Sequence, residues 1–127
     1  MIDFKRIYRS FVYAFSGLLY VIKTQNNARF HLLATIFIVI FSVWLKLNIT
    51  EWCLIFVAIA IVWISECFNT SIEKLFDLVN PAQHPLVKHG KDSGAAAVFM
   101  AALLSVIIGI FVLGPRLYEK IMDLFSK

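Results

Sequence analysis

The chain has 127 residues, the length of one modest domain, but 61% of them are apolar and only 16% are charged. Soluble domains average about 45–50% apolar and about 25% charged residues, so this composition excludes an ordinary soluble monomer and a disordered segment. The two cysteines form no CxxC spacing or Cys/His cluster, which excludes a disulfide scaffold and a cysteine zinc site. The composition therefore predicts an all-α integral membrane protein.

The first 28 residues are predicted to form an amphipathic helix. Apolar side chains recur at helical spacing from Phe4 to Ile22, and basic or small polar residues occupy the rest of the helix surface. This pattern is typical of a helix that lies in the membrane interface, and a helix packed against its own bundle is the alternative. The mixed charges at the start, without an early apolar core, do not fit a removable signal peptide.

Three later stretches are long and apolar enough to cross a bilayer, which needs about 20 mostly apolar residues. We predict membrane spans over 30–48, 50–79 and 93–115, the second of which extends into the cytoplasmic interface. A loop over 80–92 joins the last two spans, and Gly114-Pro115 predicts a helix stop before a tail over 116–127.

The distribution of lysine and arginine predicts the orientation of the spans. The side that holds the N-terminus and the 80–92 loop carries eight basic residues, namely Lys5, Arg6, Arg9, Lys23, Arg29, Lys74, Lys88 and Lys91. The other side carries four, namely Lys46, Arg116, Lys120 and Lys127. Because cytoplasmic segments are enriched in basic residues, the N-terminus and the loop are predicted to be cytoplasmic and the C-terminus external.

A polar face follows the second apolar run. It consists of Glu66, Asn69, Thr70, Glu73 and Asp77, which fall within an arc of about 100° on a helix. At about 1.5 Å per residue, Glu66 lies inside the membrane and Glu73 at its cytoplasmic boundary. An ionisable group inside a membrane is a candidate for a functional site. Two glutamates on one face suit Mg²⁺ ligation and proton abstraction. The alternative is a hydrogen-bonded seam between helices, with a protonated Glu66.

The next segment combines prolines, histidines and lysines, in the order Asn80-Pro81, His84-Pro85, Lys88, His89, Gly90, Lys91 and Asp92. Taken alone, the lysines fit either membrane anchors or phosphate ligands, and the histidines fit either loop residues or metal ligands. A P-loop is excluded, because Pro85 stands where its first glycine is required. The small residues that open the third span allow close helix contacts, so we expect an oligomer.

Together these residues resemble the prokaryotic diacylglycerol kinase and undecaprenol kinase family. The blocks that carry the resemblance are Glu66-x-x-Asn69-Thr70-x-Ile72-Glu73-x-x-x-Asp77, His84-Pro85 and Lys88-x-x-Lys91-Asp92. Two N-terminal blocks are similar to the Gram-positive-type branch, Ser10-Phe11-x-x-Ala14-x-x-Gly17-Leu18 and Asn27-x-Arg29-x-His31-Leu32. The resemblance extends from about Phe4 to Val112.

The resemblance implies a homotrimeric bundle in the bacterial inner membrane, with one interfacial helix and three spans per protomer. It implies transfer of the γ-phosphate of MgATP to the primary hydroxyl of diacylglycerol or undecaprenol, in phospholipid or lipid-carrier metabolism. Mg²⁺ is the implied cofactor, ATP the co-substrate, and no nucleic-acid partner is expected.

The resemblance also implies roles for individual residues. Glu66 corresponds to the general base, which contacts the lipid hydroxyl, and Asn69 to a polar residue beside it. Glu73 corresponds to a metal ligand, and Ser93 is expected to contact the lipid. The expected ATP contacts are Arg6, Tyr13, Glu73, His84, Lys91 and Asp92.

One position departs from the family pattern. Gln25 stands where a second metal-binding glutamate is usual, and its neutral carbonyl should hold Mg²⁺ more weakly. Either Glu73, phosphate oxygens and water hold the metal, or the activity is reduced. We favour the first, and predict that Gln25→Glu lowers the Mg²⁺ requirement.

A different class of function also fits part of the sequence. Glu66 could serve as the proton-coupled carboxylate of a small transport protein, or as a packing residue without enzymatic function. A proton carrier has no use for Lys88, Lys91 and Asp92 beside a second glutamate, and this segment favours the kinase. Between the two lipids, the Asn27-x-Arg29-x-His31 block favours undecaprenol, by analogy alone.

Overall fold

The computed structural model describes residues 2–79 and 84–126. These residues form four helices, α1 (Phe4–Thr24), α2 (Asn26–Leu45), α3 (Ile49–Val79) and α4 (Pro85–Phe125). The last three are long and apolar enough to cross a membrane, which confirms the prediction of an all-α chain with three helices that could span one. Asn80 and Pro81, which we assigned to the loop, lie outside the described residues.

The helices α3 and α4 form the main packed pair, and α2 contacts both of them over a smaller area. Ser105 on α4 donates a hydrogen bond to the carbonyl of Ala58 on α3 at 2.8 Å, which links the two helices near their middle. The helices α2, α3 and α4 alternate in direction, since the end of α2, the start of α3 and the second half of α4 pack together. The start of α2, the end of α3 and the start of α4 therefore meet at one end of the bundle, the polar end.

The apolar core lies at the other end, which we call the far end. Its buried residues are Leu45 at the end of α2, Leu47 in the turn that follows, Ile55 near the start of α3, and Val112 and Leu113 in the second half of α4. Between helices in a membrane, such side chains contribute through van der Waals packing. The far end therefore holds the helices together by apolar packing, whereas three of the four buried polar side chains among the described residues, Glu66, Asn69 and Thr70, lie at the polar end.

The helix α4 begins eight residues before the predicted third span. His84 caps its N-terminus, since its Nδ1 accepts a hydrogen bond from the backbone N–H of Leu86 at 3.2 Å. Pro85 follows in the first turn, where the missing N–H of a proline causes no loss. The segment 85–92, which we predicted to be loop, is therefore helical.

The predicted helix stop at Gly114-Pro115 is wrong, because α4 continues through Pro115 to Phe125. A proline inside a helix removes a backbone hydrogen bond, and contacts with other helices hold the turns that follow. Arg116 pairs with Glu51 at the start of α3 at 2.8 Å. Lys120 donates to the carbonyl of Trp44 at 2.9 Å and lies over its ring. The segment 116–125 is thus helical and packed against the far end.

The helix α1 is separate from α2, and the break falls at Gln25, whose backbone is extended (φ −105°, ψ 124°). Within α1 only Val21 is buried, and contacts with the rest of the chain are limited to α2 and α3. Large apolar side chains along α1 are exposed in the single chain, among them Phe4, Tyr8, Phe11 and Phe15. The single chain therefore leaves most of α1 without a packing partner.

Candidate functional site

The polar face of α3 lies at the polar end of the bundle. Glu66, Asn69 and Thr70 are buried, Glu73 is half-buried and Asp77 is exposed. The face therefore runs from the interior of the bundle out to its surface over about three helical turns. The polar side chains closest to the middle of the span are the ones most shielded by the other helices.

Glu66 is 2% exposed, and its Oε2 has no hydrogen-bond partner among the described residues. The same holds for Asn69 Oδ1 and Thr70 Oγ1, which lie one turn further along α3. Buried polar atoms are nearly always hydrogen-bonded in folded proteins. Three unpartnered oxygens within one turn of helix therefore mark a place where a polar ligand group can bind.

Glu73 receives two hydrogen bonds from neutral amides. Asn69 Nδ2 donates to its Oε1 at 3.2 Å, and Gln25 Nε2 donates to its Oε2 at 3.1 Å. The structure thus brings together Gln25 and Glu73, which lie 48 residues apart in sequence. The spacing of residues within one helix gives no signal for this contact, which depends on the packing of the α1–α2 junction against α3.

Glu73 can supply part of the ligand set of a divalent cation. No group of three His, Cys, Asp or Glu side chains that could hold a metal occurs among the described residues. Mg²⁺ is commonly held by one or two carboxylates together with phosphate oxygens and water. Each carboxylate oxygen has a second lone pair beside the one that accepts an amide hydrogen. The residues present therefore fit an Mg²⁺ ion that arrives with a phosphorylated substrate, with Glu73 as the charged ligand.

Gly94 on α4 allows the close approach of Asn69. A β-carbon at position 94 would overlap Asn69 Oδ1, whereas one at Gly109 or Gly114 would meet nothing within 4 Å. Gly94 is buried, and the amide of Asn69 lies against its backbone. The sequence indicates only that small residues open the third span, and it does not identify this contact.

Gly94→Ala should therefore displace the Asn69 side chain and break its hydrogen bond to Glu73. We expect the activity assigned to this site below to fall at least about tenfold, because the bond has a charged acceptor. Gly17→Ala makes the same change on α1, where a β-carbon would meet nothing within 4 Å, so it should retain full activity and serves as the control. In an Asn69→Ala background the overlap is gone, so adding Gly94→Ala should not lower the activity further. An unchanged activity in the single Gly94→Ala variant would show that the position of Asn69 is unimportant.

The start of α4 contributes a charged cluster beside the polar face. Lys91 bonds to Asp77, which also pairs with Lys74 at 3.7 Å, and all three side chains are at least partly exposed. Asp92 and Ser93 are exposed on the first turns of α4, and the Ser93 hydroxyl donates to the carbonyl of His89 at 2.8 Å. His84 is exposed at the helix cap. The predicted nucleotide residues of this segment thus lie near the outer end of the polar face.

Arg6 and Tyr13 are not brought to this cluster by the chain itself. Both are exposed on α1, and they lie about 28 Å and about 18 Å along the helix from Gln25, at 1.5 Å per residue. The helix α1 contacts α2 and α3 but not α4, where Lys91 and Asp92 lie. Within the described chain, therefore, Arg6 and Tyr13 are separate from the charged cluster at the start of α4.

An apolar cleft of about 520 Å³ opens between α2, α3 and α4. His31 lies at its polar end and Leu117 at its far end, and Val62 lines it one turn before Glu66. Thr35 accepts a hydrogen bond from the Trp63 indole at 3.2 Å, which ties α2 to α3 beside the cleft. His31 was not assigned to the site from the sequence, although it belongs to the Asn27-x-Arg29-x-His31 block.

Comparison with known proteins gives matches along most of the chain. The model of the family described as "Prokaryotic diacylglycerol kinase" matches residues 12–113, which includes Tyr13 but not Arg6. The undecaprenol kinase of Bacillus subtilis is 36% identical over 115 residues, which cover 91% of this chain and 94% of the relative. The diacylglycerol kinase of Synechocystis is 35% identical over 109 residues, which cover 85% of this chain and 62% of the relative. The diacylglycerol kinase of Escherichia coli K12 is 29% identical over 104 residues, which cover 82% of this chain and 85% of the relative.

Proposed function

Because the chain belongs to the prokaryotic diacylglycerol kinase family, we propose that it is a lipid kinase that transfers the γ-phosphate of ATP to the primary hydroxyl of a membrane lipid. The observation that carries this proposal is the unpartnered, buried carboxylate oxygen of Glu66, on the same helix face as the half-buried Glu73. The two residues are two turns apart, about 10 Å along the axis. That separation leaves room for a lipid hydroxyl and a phosphoryl group between them.

In the proposed reaction, Glu66 accepts the proton of the lipid hydroxyl as its oxygen attacks the γ-phosphorus. The bond from that phosphorus to the bridging oxygen of ADP breaks, and ADP leaves with the electron pair. Glu73, with the carbonyl of Gln25 as the second candidate, would hold the Mg²⁺ ion that neutralises phosphate charge in such transfers. Asn69 orients the Glu73 carboxylate through its amide.

ATP is proposed to bind at the outer end of the polar face, with contacts from Lys91, Asp92 and His84. Arg6 and Tyr13 would complete this site from a neighbouring protomer, because α1 makes no contact with α4 of its own chain, where Lys91 and Asp92 lie. This reasoning supports the homotrimer implied by the family resemblance. Most of the surface of α1 is unpacked in the single chain, which also fits a position in the membrane interface or against another protomer.

The lipid substrate is proposed to place its hydroxyl at Glu66 and a hydrocarbon chain in the apolar cleft, with Ser93 near its headgroup. The cleft supports this arrangement because it runs from His31 towards the far end and is lined almost entirely by apolar residues. We propose that the site lies at the cytoplasmic side of the inner membrane, which membership of the bacterial family and the excess of Lys and Arg at this end support. The N-terminus and the 80–92 segment would lie on that side, and the C-terminus outside.

The choice between the two lipids is a separate proposal, and we favour undecaprenol. The relative with the fullest coverage of both chains among those compared is named an undecaprenol kinase. Both lipids present a primary hydroxyl at headgroup depth, so the chemistry of Glu66 and Glu73 suits either. The difference must come from the groups that carry the hydroxyl, which are two ester-linked acyl chains in diacylglycerol and one polyprenyl chain in undecaprenol.

The test is phosphate transfer from γ-labelled ATP by the purified full-length chain in mixed micelles with Mg²⁺. Diacylglycerol and undecaprenol are offered in parallel, and label is followed separately into lipid and into inorganic phosphate. We expect label in lipid, with undecaprenol preferred. Preference for diacylglycerol would overturn the choice of lipid alone. Absence of labelled lipid from a folded oligomer would overturn the kinase and favour a transport or purely structural role for Glu66.

A further inference from the structure

The junction between α1 and α2 is linked to the polar face by a single side chain. Gln25 is half-buried at the break between the helices, where its N–H still donates to the carbonyl of Val21 at 2.9 Å. Its side-chain amide extends from the junction towards α3 and donates a hydrogen bond to Glu73 Oε2 at 3.1 Å. Among the described residues, this is the one side-chain hydrogen bond from the junction to α3.

The rest of the junction is held by contacts within the two helices that it joins. The Arg29 guanidinium folds back from α2 onto the last carbonyls of α1, with Nε donating to Ile22 at 3.2 Å and Nη2 donating to Lys23. Val21 and Ala28, one turn to either side of Gln25, are buried. Arg29 thus fixes α1 relative to α2, and Gln25 fixes this unit relative to Glu73.

We propose that Gln25 is a positioning residue, whose amide N–H holds the Glu73 carboxylate and locks the α1–α2 junction onto α3 before any metal binds. This inference rests on the proposed function, in which Glu73 holds the metal and α1 carries nucleotide contacts. It replaces the metal-ligand role considered for Gln25 above with that of a hydrogen-bond donor. The cation is then held by a single carboxylate of this chain.

The chemistry of position 25 explains why glutamine suits this role. A glutamine donates to Glu73 without a cation, so the junction is assembled in the metal-free protein. A glutamate there has no hydrogen to donate when ionised, and it would face Glu73 with a like charge at hydrogen-bond distance. A junction with two carboxylates would therefore close only when a cation lies between them.

Hydrogen exchange of the full-length oligomer in lipid nanodiscs tests this directly, read from peptides that cover residues 20–30. Four chains are compared in EDTA and in Mg²⁺, without ATP or lipid acceptor. Gln25→Met keeps the length of the side chain without a donor, and Gln25→Glu keeps only acceptors. Thr24→Val is the control, because the Thr24 hydroxyl bonds only within α1, to Tyr20 at 2.8 Å.

We expect slow exchange in the wild type and in Thr24→Val under both conditions. Gln25→Met should exchange about tenfold faster under both, the effect of losing a bond to a charged group. Gln25→Glu should exchange fast in EDTA and return to the wild-type rate in Mg²⁺. Loss of packing alone would not produce this recovery of the wild-type exchange rate on addition of Mg²⁺.

Two results would overturn the inference. If Gln25→Met exchanged like the wild type in EDTA and differed only in Mg²⁺, Gln25 would be a metal ligand. If Gln25→Met exchanged at the wild-type rate in both EDTA and Mg²⁺, the hydrogen bond from Gln25 to Glu73 would not hold the junction on α3. Both results are independent of phosphate transfer, so they are distinguishable from failure of the proposed kinase, which the labelling assay reports.

Discussion

Glu66→Gln is expected to reduce lipid phosphorylation by about 10²–10⁴-fold, the usual contribution of a general base. Glutamine has nearly the same shape and volume, but its amide does not accept the proton that the lipid hydroxyl loses. The bundle should remain intact, because replacing a buried carboxylate that lacks one partner with a neutral amide removes a desolvation cost. The measurement is the rate of label transfer from γ-labelled ATP at saturating Mg²⁺ and lipid.

The loss in Glu66→Gln should appear in the maximal rate, and excess Mg²⁺ should not restore it. The KM for ATP should change little, because the proposed nucleotide contacts lie elsewhere, on the start of α4 and on α1. A variant that kept more than about one tenth of the wild-type rate would place the general base at another residue, since that loss is below the usual range.

Glu73→Gln is expected to lower the rate on the order of 100-fold at ordinary Mg²⁺ concentrations, because metal ions contribute several kcal/mol of charge stabilisation in such reactions. The substitution removes the one charged ligand that the described residues offer next to Gln25 and Asn69. It also places an N–H₂ group opposite one of the two amide donors, so one of these hydrogen bonds is lost.

The dependence on Mg²⁺ distinguishes this variant from the previous one. Raising the Mg²⁺ concentration should recover part of the activity of Glu73→Gln, since a neutral oxygen still offers a weak ligand. The measurement is the half-saturating Mg²⁺ concentration, which should increase strongly in Glu73→Gln and remain unchanged in Glu66→Gln. Equal half-saturating concentrations in the wild type and Glu73→Gln would rule out a metal role for Glu73.

The parts of the structure that follow from helical periodicity were predictable. Three apolar runs predict three long helices, and the spacing of Glu66, Asn69 and Glu73 places them along one side of α3. Both inferences need only the composition of a segment and the 3.6-residue repeat. A polar face within an apolar helix also identifies the polar end of the bundle as the candidate site.

The features that depend on contacts between helices were not predictable. Gly114 and Pro115 predict a helix stop from local sequence alone. The contact that holds the following turn, Arg116 with Glu51, joins residues 65 apart and has no local signal. In the same way, the contact of Gly94 with Asn69 and the bond from Gln25 to Glu73 join segments whose relative position no local pattern specifies. The contacts proposed for Arg6 and Tyr13 are with a neighbouring protomer, and the pattern of a single helix gives no signal for them.

The central claim is that one end of α3 performs phosphate transfer, and the most direct test changes the three glutamates of that helix in the same way. Glu51 pairs with Arg116 at the far end, so Glu51→Gln is the matched control for Glu66→Gln and Glu73→Gln. Each chain is purified, checked for the oligomer size of the wild type, and assayed for label transfer to lipid. We predict labelled lipid from the wild type and Glu51→Gln, and almost none from the other two. Comparable labelling by Glu66→Gln and the wild type would contradict this account.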